Sequence, residues 1–157
     1  MTDKSQFYTR LLVQFEALCG PHVHWLSVLS NTSALLWMEM ERINWAGFYL
    51  LKKGELILGP YQGNVACTNI GIGKGVCGTA FAKKTVLCVA DVHQFPGHIA
   101  CDAASRSEIV LPLYANNRLV GVLDIDSPEI NRFDSDDEVG LQKFVQRLSN
   151  TLLDMDF

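Results

Sequence analysis

Glu108-Ile109-Val110-Leu111-Pro112-Leu113-Tyr114-Ala115-Asn116-Asn117-Arg118-Leu119-Val120-Gly121-Val122-Leu123-Asp124-Ile125-Asp126 reads as two extended runs about a tight turn. Strands are expected from Glu108 to Tyr114 and from Leu119 to Asp126. Asparagine tolerates the left-handed backbone that a short hairpin turn demands, so Asn116-Asn117 predicts an antiparallel pair.

Along the second run Asp124 and Asp126 stand two apart and share a face, with Val120 and Val122 supplying the rest of it. Acids that extend a buried apolar face are unusual. The plain alternative puts them in water just past the sheet edge, at the Ser127-Pro128 turn, which suits Asp126 better than Asp124. The register decides whether Glu108 joins them. A two-residue loop sets Glu108 opposite Ile125, whereas a three-residue Ala115-Asn116-Asn117 loop sets it opposite Asp124 and gathers three acids on one face.

Toward the N-terminus, Ser5 to Leu18 carries Phe7, Leu11, Leu12, Phe15 and Leu18 at helical spacing, and a second helix is expected from about Thr32 to Arg42. Trp45 to Leu51, a Lys52-Lys53-Gly54 turn and Glu55 to Gly59 form a second hairpin. The glycine-rich passage Gly71 to Gly78 leads into a short helix ending near Lys84. Thr85 to Ala90 follows as a buried strand, and Asp91 to Ser105 as a long loop. A last helix from Ser135 to about Leu153 presents Leu141, Phe144, Val145, Leu148 and Leu152, with Ser135 and Glu138 as a capping box. The pattern predicts one α+β domain over residues 1–157, a central antiparallel sheet with the N- and C-terminal helices packed on one face.

At 157 residues and 48% hydrophobic, such a domain can bury a core without disulfide or metal support. A net charge of -4 with no Lys/Arg run argues against a nucleic-acid partner. No apolar run approaches the roughly 18 residues of a membrane span, and Met1 to Gln6 lacks the features of a signal peptide. The expectation is a soluble cytoplasmic protein without a membrane partner. In a reducing compartment its five cysteines read as core residues, metal ligands or redox groups.

Gly73-Lys74-Gly75-Val76-Cys77-Gly78 fits GxGxxG, but that fingerprint binds dinucleotides only within a parallel βαβ unit, and the strands here read as antiparallel. The P-loop pattern fails as well, because Gly75 stands where Ser or Thr should follow Lys74. Sharp turning and close packing account for these glycines better. Gaps of 10, 11 and 13 residues between Cys67, Cys77, Cys88 and Cys101 do not suit zinc, so no metal or other cofactor is expected.

Cys19 in a helix and Cys88 in an apolar strand are expected to be buried packing residues. Cys67, Cys77 and Cys101 fall in polar or glycine-rich loops where a thiol is reachable. Cys101 has the strongest local case. If Asp102 to Arg106 form a helical turn, its thiolate sits at that turn's positive end near Arg106. Trp45, Gly47 and Tyr49 share a strand face, either as core or as a pocket wall with room left by the glycine. The four histidines suggest no hydrolase; His22 and His24 bracket a loop, and His93 and His98 read as lid or ordinary loop residues.

Five stretches together resemble the free methionine-R-sulfoxide reductases, a family built on the GAF fold. They are Asn44-Trp45-Ala46-Gly47-Phe48-Tyr49, Gly59-Pro60-Tyr61-Gln62-Gly63, Gly71 to Gly78, His98-Ile99-Ala100-Cys101-Asp102 and Gly121-Val122-Leu123-Asp124-Ile125-Asp126-Ser127. The resemblance spans the chain and includes all three loop cysteines, which a generic GAF sensor would not be expected to share. It implies that Cys101 is the catalytic cysteine, Cys67 its resolving partner and Cys77 an alternative partner. It likewise implies that Glu108, Asp124 and Asp126 are site carboxylates and that Trp45 and Tyr49 receive the substrate's S-methyl group.

The implied activity is that of an L-methionine (R)-S-oxide reductase, a thioredoxin-dependent oxidoreductase acting on free methionine sulfoxide. Attack by the Cys101 thiolate leaves a sulfenic acid, which Cys67 converts to a disulfide that thioredoxin reopens. Crowded carboxylates cannot all ionise, so Glu108 or Asp124 is expected to hold the proton that the sulfoxide oxygen needs. The remaining charge suits the ammonium of a free amino acid, while it opposes the Cys101 thiolate and calls for compensation from the loop. The competing readings are a non-catalytic GAF module that binds a small ligand or senses redox state, and an interaction domain with inert thiols. The oligomeric state is open between a monomer and a homodimer.

Overall fold

Asn116 and Asn117 both adopt left-handed backbone, φ 53° and 62°, so the decisive turn is the tight two-residue kind. Its flanking residues Ala115 and Arg118 pair, as do Tyr114 and Leu119, but the register then shifts and Leu113 meets Gly121. The extra residue, Val120, bulges from its strand and moves every later pairing by one. Glu108 consequently lies opposite Asp126, a register that neither loop length predicts. Val120 also leaves the expected face and packs with Leu123 and Ile125, whereas Val122 stays with Val110 on the acid side.

The computed structural model describes residues 3–156. In chain order the elements are α1 (Asp3–Leu18), α2 (Trp25–Glu39), β1 (Trp45–Lys52), β2 (Glu55–Gly63), β3 (Asn69–Gly71), α3 (Gly75–Lys83), β4 (Leu87–Val89), β5 (Ser107–Ala115), β6 (Arg118–Ser127) and α4 (Ser135–Thr151). A 3-10 turn occupies Val92–Gln94. The strands form one antiparallel sheet in the order β3-β2-β1-β6-β5-β4.

Strand alternation divides the interior in two. Ala46, Phe48 and Leu50 of β1 face α1, α2 and α4, in a core where the Phe15 and Phe144 rings meet edge to face at 5.2 Å. Each such fully buried side chain contributes about 1.5–3 kcal/mol. Trp45 and Tyr49 face the other way, toward Val76, Cys77, Ala80 and Phe81 of α3. The N- and C-terminal helices share one face as expected, and the short α3 covers the other.

Several boundaries differ from those the sequence suggests. α2 starts at Trp25 because the His24 side chain caps it, accepting from the Leu26 N–H at 3.1 Å, and it stops at Glu39. β2 runs on to Gly63 through Pro60, which is tolerated where the β1 pairing shifts register. β3 has three residues, too few for a periodic signal. β4 is a short edge strand with Cys88 exposed, not a buried run over Thr85 to Ala90. The capping box of α4 is Asp134 with Asp137, one residue earlier than Ser135 with Glu138. Among the described residues no helix is long and apolar enough to cross a membrane.

Candidate functional site

The β1–β6–β5 registers lay the site out in rows across the sheet. Trp45, Asp126 and Glu108 occupy one row, Gly47, Asp124 and Val110 the next, and Tyr49 and Val122 the one beyond. Alternation points them all to the α3 side, where Trp45, Tyr49, Glu108, Asp124 and Asp126 line a single pocket with the amino end of α3 and the loop carrying Cys101. The bulge at Val120 is therefore what completes the acid group.

Glu108 and Asp124 are buried, 7% and 5% exposed, and Asp126 is half-buried. None of the three forms an ion pair among the described residues. Burial pushes the Glu108 carboxyl well above its usual range, with Asp124 adding to it. Burial does the same to Asp124 with help from Asp126, and to Asp126 with help from Glu108. The three acids act on one another's protonation, so they titrate as a group and hold protons above the usual carboxylate range. Asp124 Oδ1 is buried and receives no hydrogen bond.

Cys67, in the β2–β3 loop, and Cys101 are joined by a disulfide, their Cα atoms 5.4 Å apart. Two side chains tie these loops to the sheet. The Tyr49 hydroxyl donates to the Cys67 carbonyl at 2.9 Å, and the Asn44 amide donates to Asp102 Oδ2 at 3.2 Å and Ser105 Oγ at 3.1 Å. Asp102 to Arg106 form a hydrogen-bonded turn and not the expected helical turn. Asp102 itself takes the Ala104 N–H, so no helix end is offered to Cys101. Lys74 and His98 are the basic side chains lining the pocket with Cys101; burial lowers the pKa of His98, and His93 adds to that effect.

Cys77 is not a loop thiol. It sits in the first turn of α3, 4% exposed, with Sγ 3.9 Å from Glu108 Oε2. Burial raises its pKa, and Asp124 and Glu108 raise it further. Cys19 is half-buried against the main core and Cys88 is exposed; both are free and remote from the pocket lining. The expectation that both are buried is thus met only in part by Cys19 and not at all by Cys88, whose strand has a neighbour on one side only.

Trp45 and Tyr49 stack at 5.8 Å, and Tyr61 stacks on Trp45 at 5.0 Å. The space beside Gly47 belongs to Tyr61, since a Cβ at Gly47 would lie 2.2 Å from the Tyr61 Cβ. Tyr61, Lys74, Ile99 and Ser105 were not legible as site or supporting residues. Only their places in the motif stretches, for Tyr61, Lys74 and Ile99, hinted at them. Gly78 packs so closely that its Cβ would sit 2.3 Å from the Gly71 carbonyl oxygen, and Gly73 N–H bonds the Gly78 carbonyl at 2.8 Å. The glycine-rich passage thus folds onto itself and delivers α3 to the pocket.

The fold agrees with that of the chain's relatives. Residues 17–152 match the GAF domain family. The free methionine-R-sulfoxide reductase of Escherichia coli (strain K12) is 52% identical over 155 residues, covering 99% of this chain and 94% of that protein. The chain belongs to the free methionine-R-sulfoxide reductase family. Two solved family structures superpose closely. The Staphylococcus aureus enzyme in its reduced form has a TM-score of 0.89 at 52% identity, covering 92% of this chain and 94% of that one. The Neisseria meningitidis enzyme in complex with its substrate has a TM-score of 0.91 at 41% identity, with 97% and 92% covered. As a member of this family the chain carries one disulfide and one further thiol, Cys77, at a pocket floored by three carboxyls.

Proposed function

We propose that this chain is an L-methionine (R)-S-oxide reductase, returning free methionine sulfoxide to methionine with Cys101 as the attacking thiol and Cys67 as its resolving partner. The observation that carries the reading is the Cys67–Cys101 disulfide, whose Cys101 lines the same pocket as Glu108, Asp124 and Asp126.

The reduced enzyme begins the cycle. Cys101 thiolate attacks the substrate sulfur while a carboxyl protonates the sulfoxide oxygen; Glu108 and Asp124, the most buried of the three, are suited to donate. The oxygen then passes to the Cys101 sulfur as the transient bond between the two sulfurs breaks, methionine leaves, and Cys67 attacks the resulting sulfenic acid to form the disulfide and release water. Sulfoxide plus two thiols gives sulfide, disulfide and water, so electrons and atoms balance. Cys77, buried beside Glu108, is the alternative partner for Cys101.

The Trp45–Tyr49 wall receives the S-methyl group, and the remaining negative charge of the acid row holds the substrate ammonium. The amino end of α3, with Lys74, lines the same pocket and suits the carboxylate. A peptide-bound residue lacks that free amine and is rejected. Lys74 supplies the positive charge that a Cys101 thiolate needs beside three acids. A thioredoxin-type dithiol in the cytoplasm reopens the disulfide. The whole reaction belongs to one domain over residues 1–157, functioning as a monomer or a homodimer.

The test is stoichiometric. Reduced protein mixed with L-methionine (R)-S-oxide and no recycling system should lose two thiols for each methionine formed, and Cys101→Ser should not turn over. Thiol loss without methionine would instead describe a redox sensor.

A further inference from the structure

We propose that Cys77, Glu108 and Asp124 form a binding site for a thiophilic divalent cation, zinc or cadmium in type, and that its occupation inhibits the enzyme by taking the place of the substrate ammonium. The binding half of the proposal stands on geometry alone; the inhibition half rests on the reductase reading.

One sulfur and two carboxylate oxygens lie within 4.8 Å of one another here, all three buried, with Cys77 Sγ 3.9 Å from Glu108 Oε2. Ligand atoms around a tetrahedral zinc at its usual bond lengths are roughly 3.3–3.8 Å apart. A bound zinc therefore draws the set together by up to about an ångström, a change on the scale of side-chain rotation. Each ligand comes from a different element, α3, β5 and β6, so the backbone places the donors without any sequence spacing of the CxxC type. This is why gaps between cysteines gave no hint of it.

A second observation points to a ligand independently of the cluster. Asp124 Oδ1 is buried, lies in a carboxyl that lines the pocket, and receives no hydrogen bond. A cation meets that need, and no ion pair among the described residues competes for it. The sulfur donor selects zinc or cadmium over magnesium or calcium, which prefer all-oxygen shells. As the metal binds, the Cys77 proton and any proton held by Glu108 and Asp124 leave to solvent. Three protein ligands leave the fourth position to water, the pattern of an open site. Cys77 takes no part in the Cys67–Cys101 disulfide, so the site exists in the oxidised protein too.

That last point gives a test that does not depend on turnover. In oxidised full-length protein carrying Cys19→Ser and Cys88→Ser, Cys77 is the one free thiol. Cadmium should produce an ultraviolet thiolate-to-metal absorption that saturates at one equivalent, and magnesium should produce none and not compete. Cys77→Ala should abolish the band, and Asp124→Asn should weaken binding more than about tenfold, the scale of losing a metal's supporting carboxylate. Zinc should also slow alkylation of Cys77 in the otherwise unmutated protein, a readout that needs no substitution in the core. Absence of the band, its survival in Cys77→Ala, or unchanged alkylation overturns the site. With wild-type enzyme, zinc should raise the apparent KM for methionine sulfoxide with kcat unchanged, reversed by a chelator. Binding without that effect on a working reductase overturns the inhibition. Binding by a chain that makes no methionine upholds the site and overturns the proposed reaction instead.

Discussion

Two buried carboxyl clusters in this molecule have opposite designs. Asp137, 1% exposed in the first turn of α4, is satisfied on all sides. It accepts from Lys4 Nζ at 2.7 Å, Tyr8 OH at 2.8 Å, Arg132 at 3.3 Å and the Asp134 N–H at 3.0 Å. Glu108, Asp124 and Asp126 have one another and a thiol, with no ion pair among the described residues. The first cluster fastens α1 and the Arg132 loop to α4. The second keeps proton-holding acids in a pocket at some cost to the fold, an arrangement that makes sense only if something else uses them.

Substitutions should separate the two. The largest effect is expected at the pocket: Asp124→Asn or Glu108→Gln should cut kcat/KM by about 10²–10⁴-fold, the usual worth of a positioned acid. The same variants should melt at a higher temperature than wild type at neutral pH, because a neutral amide removes a charge that burial disfavours. Wild-type activity in Asp124→Asn would break the comparison.

Asp137→Ala should do the reverse. Leaving buried Arg132 unpaired should cost about 3–5 kcal/mol in urea unfolding, with turnover per folded molecule preserved. Next in size, Tyr8→Phe should cost about 1.5–3 kcal/mol, the range for a hydrogen bond to a charged group.

The smallest effect sharpens the contrast by pH. The pocket acids have folded-state pKa values raised above their unfolded values, so the unfolded chain releases these protons first as pH rises. Stability from this source is fullest below the ordinary carboxylate range and is lost as pH climbs through the raised values, by at most about 1.4 kcal/mol per pH unit per proton. Asp134 runs the other way: its hydrogen bond from Lys4 lowers its pKa, so its contribution is present at neutral pH and lost on acidification. Urea unfolding across pH should show wild type losing ground to Asp124→Asn as pH rises. A constant gap between them would mean that the pocket acids are ionised throughout.

Periodicity was enough to read the helix and strand types, the two hairpins and the packing of α1 and α4 on one face, because long elements average over local exceptions. It failed at β3, at the edge strand β4 and at the start of α2, where three residues or one capping histidine decide the outcome. The motif stretches hold Trp45, Tyr49, Cys77, Cys101, Asp124 and Asp126, while Cys67 and Glu108 lie between them and stood out by residue type, since thiols, acids and aromatics are rare. One stretch holds Tyr61 without showing its role, which depends on a glycine in the neighbouring strand.

By itself the sequence determined which residues could do the chemistry, because residue type sets what a side chain can donate, accept or attack. Which of them meet was decided by tertiary structure. One bulged residue, Val120, sets Glu108 against Asp126, and two loops far apart in sequence close the Cys67–Cys101 bond across a separation of 34 residues. A third element, α3, turns Cys77 from an expected loop thiol into a buried neighbour of two carboxyls. Local preferences cannot fix a register or a loop closure, since both are settled by what the whole sheet and its two cores bury.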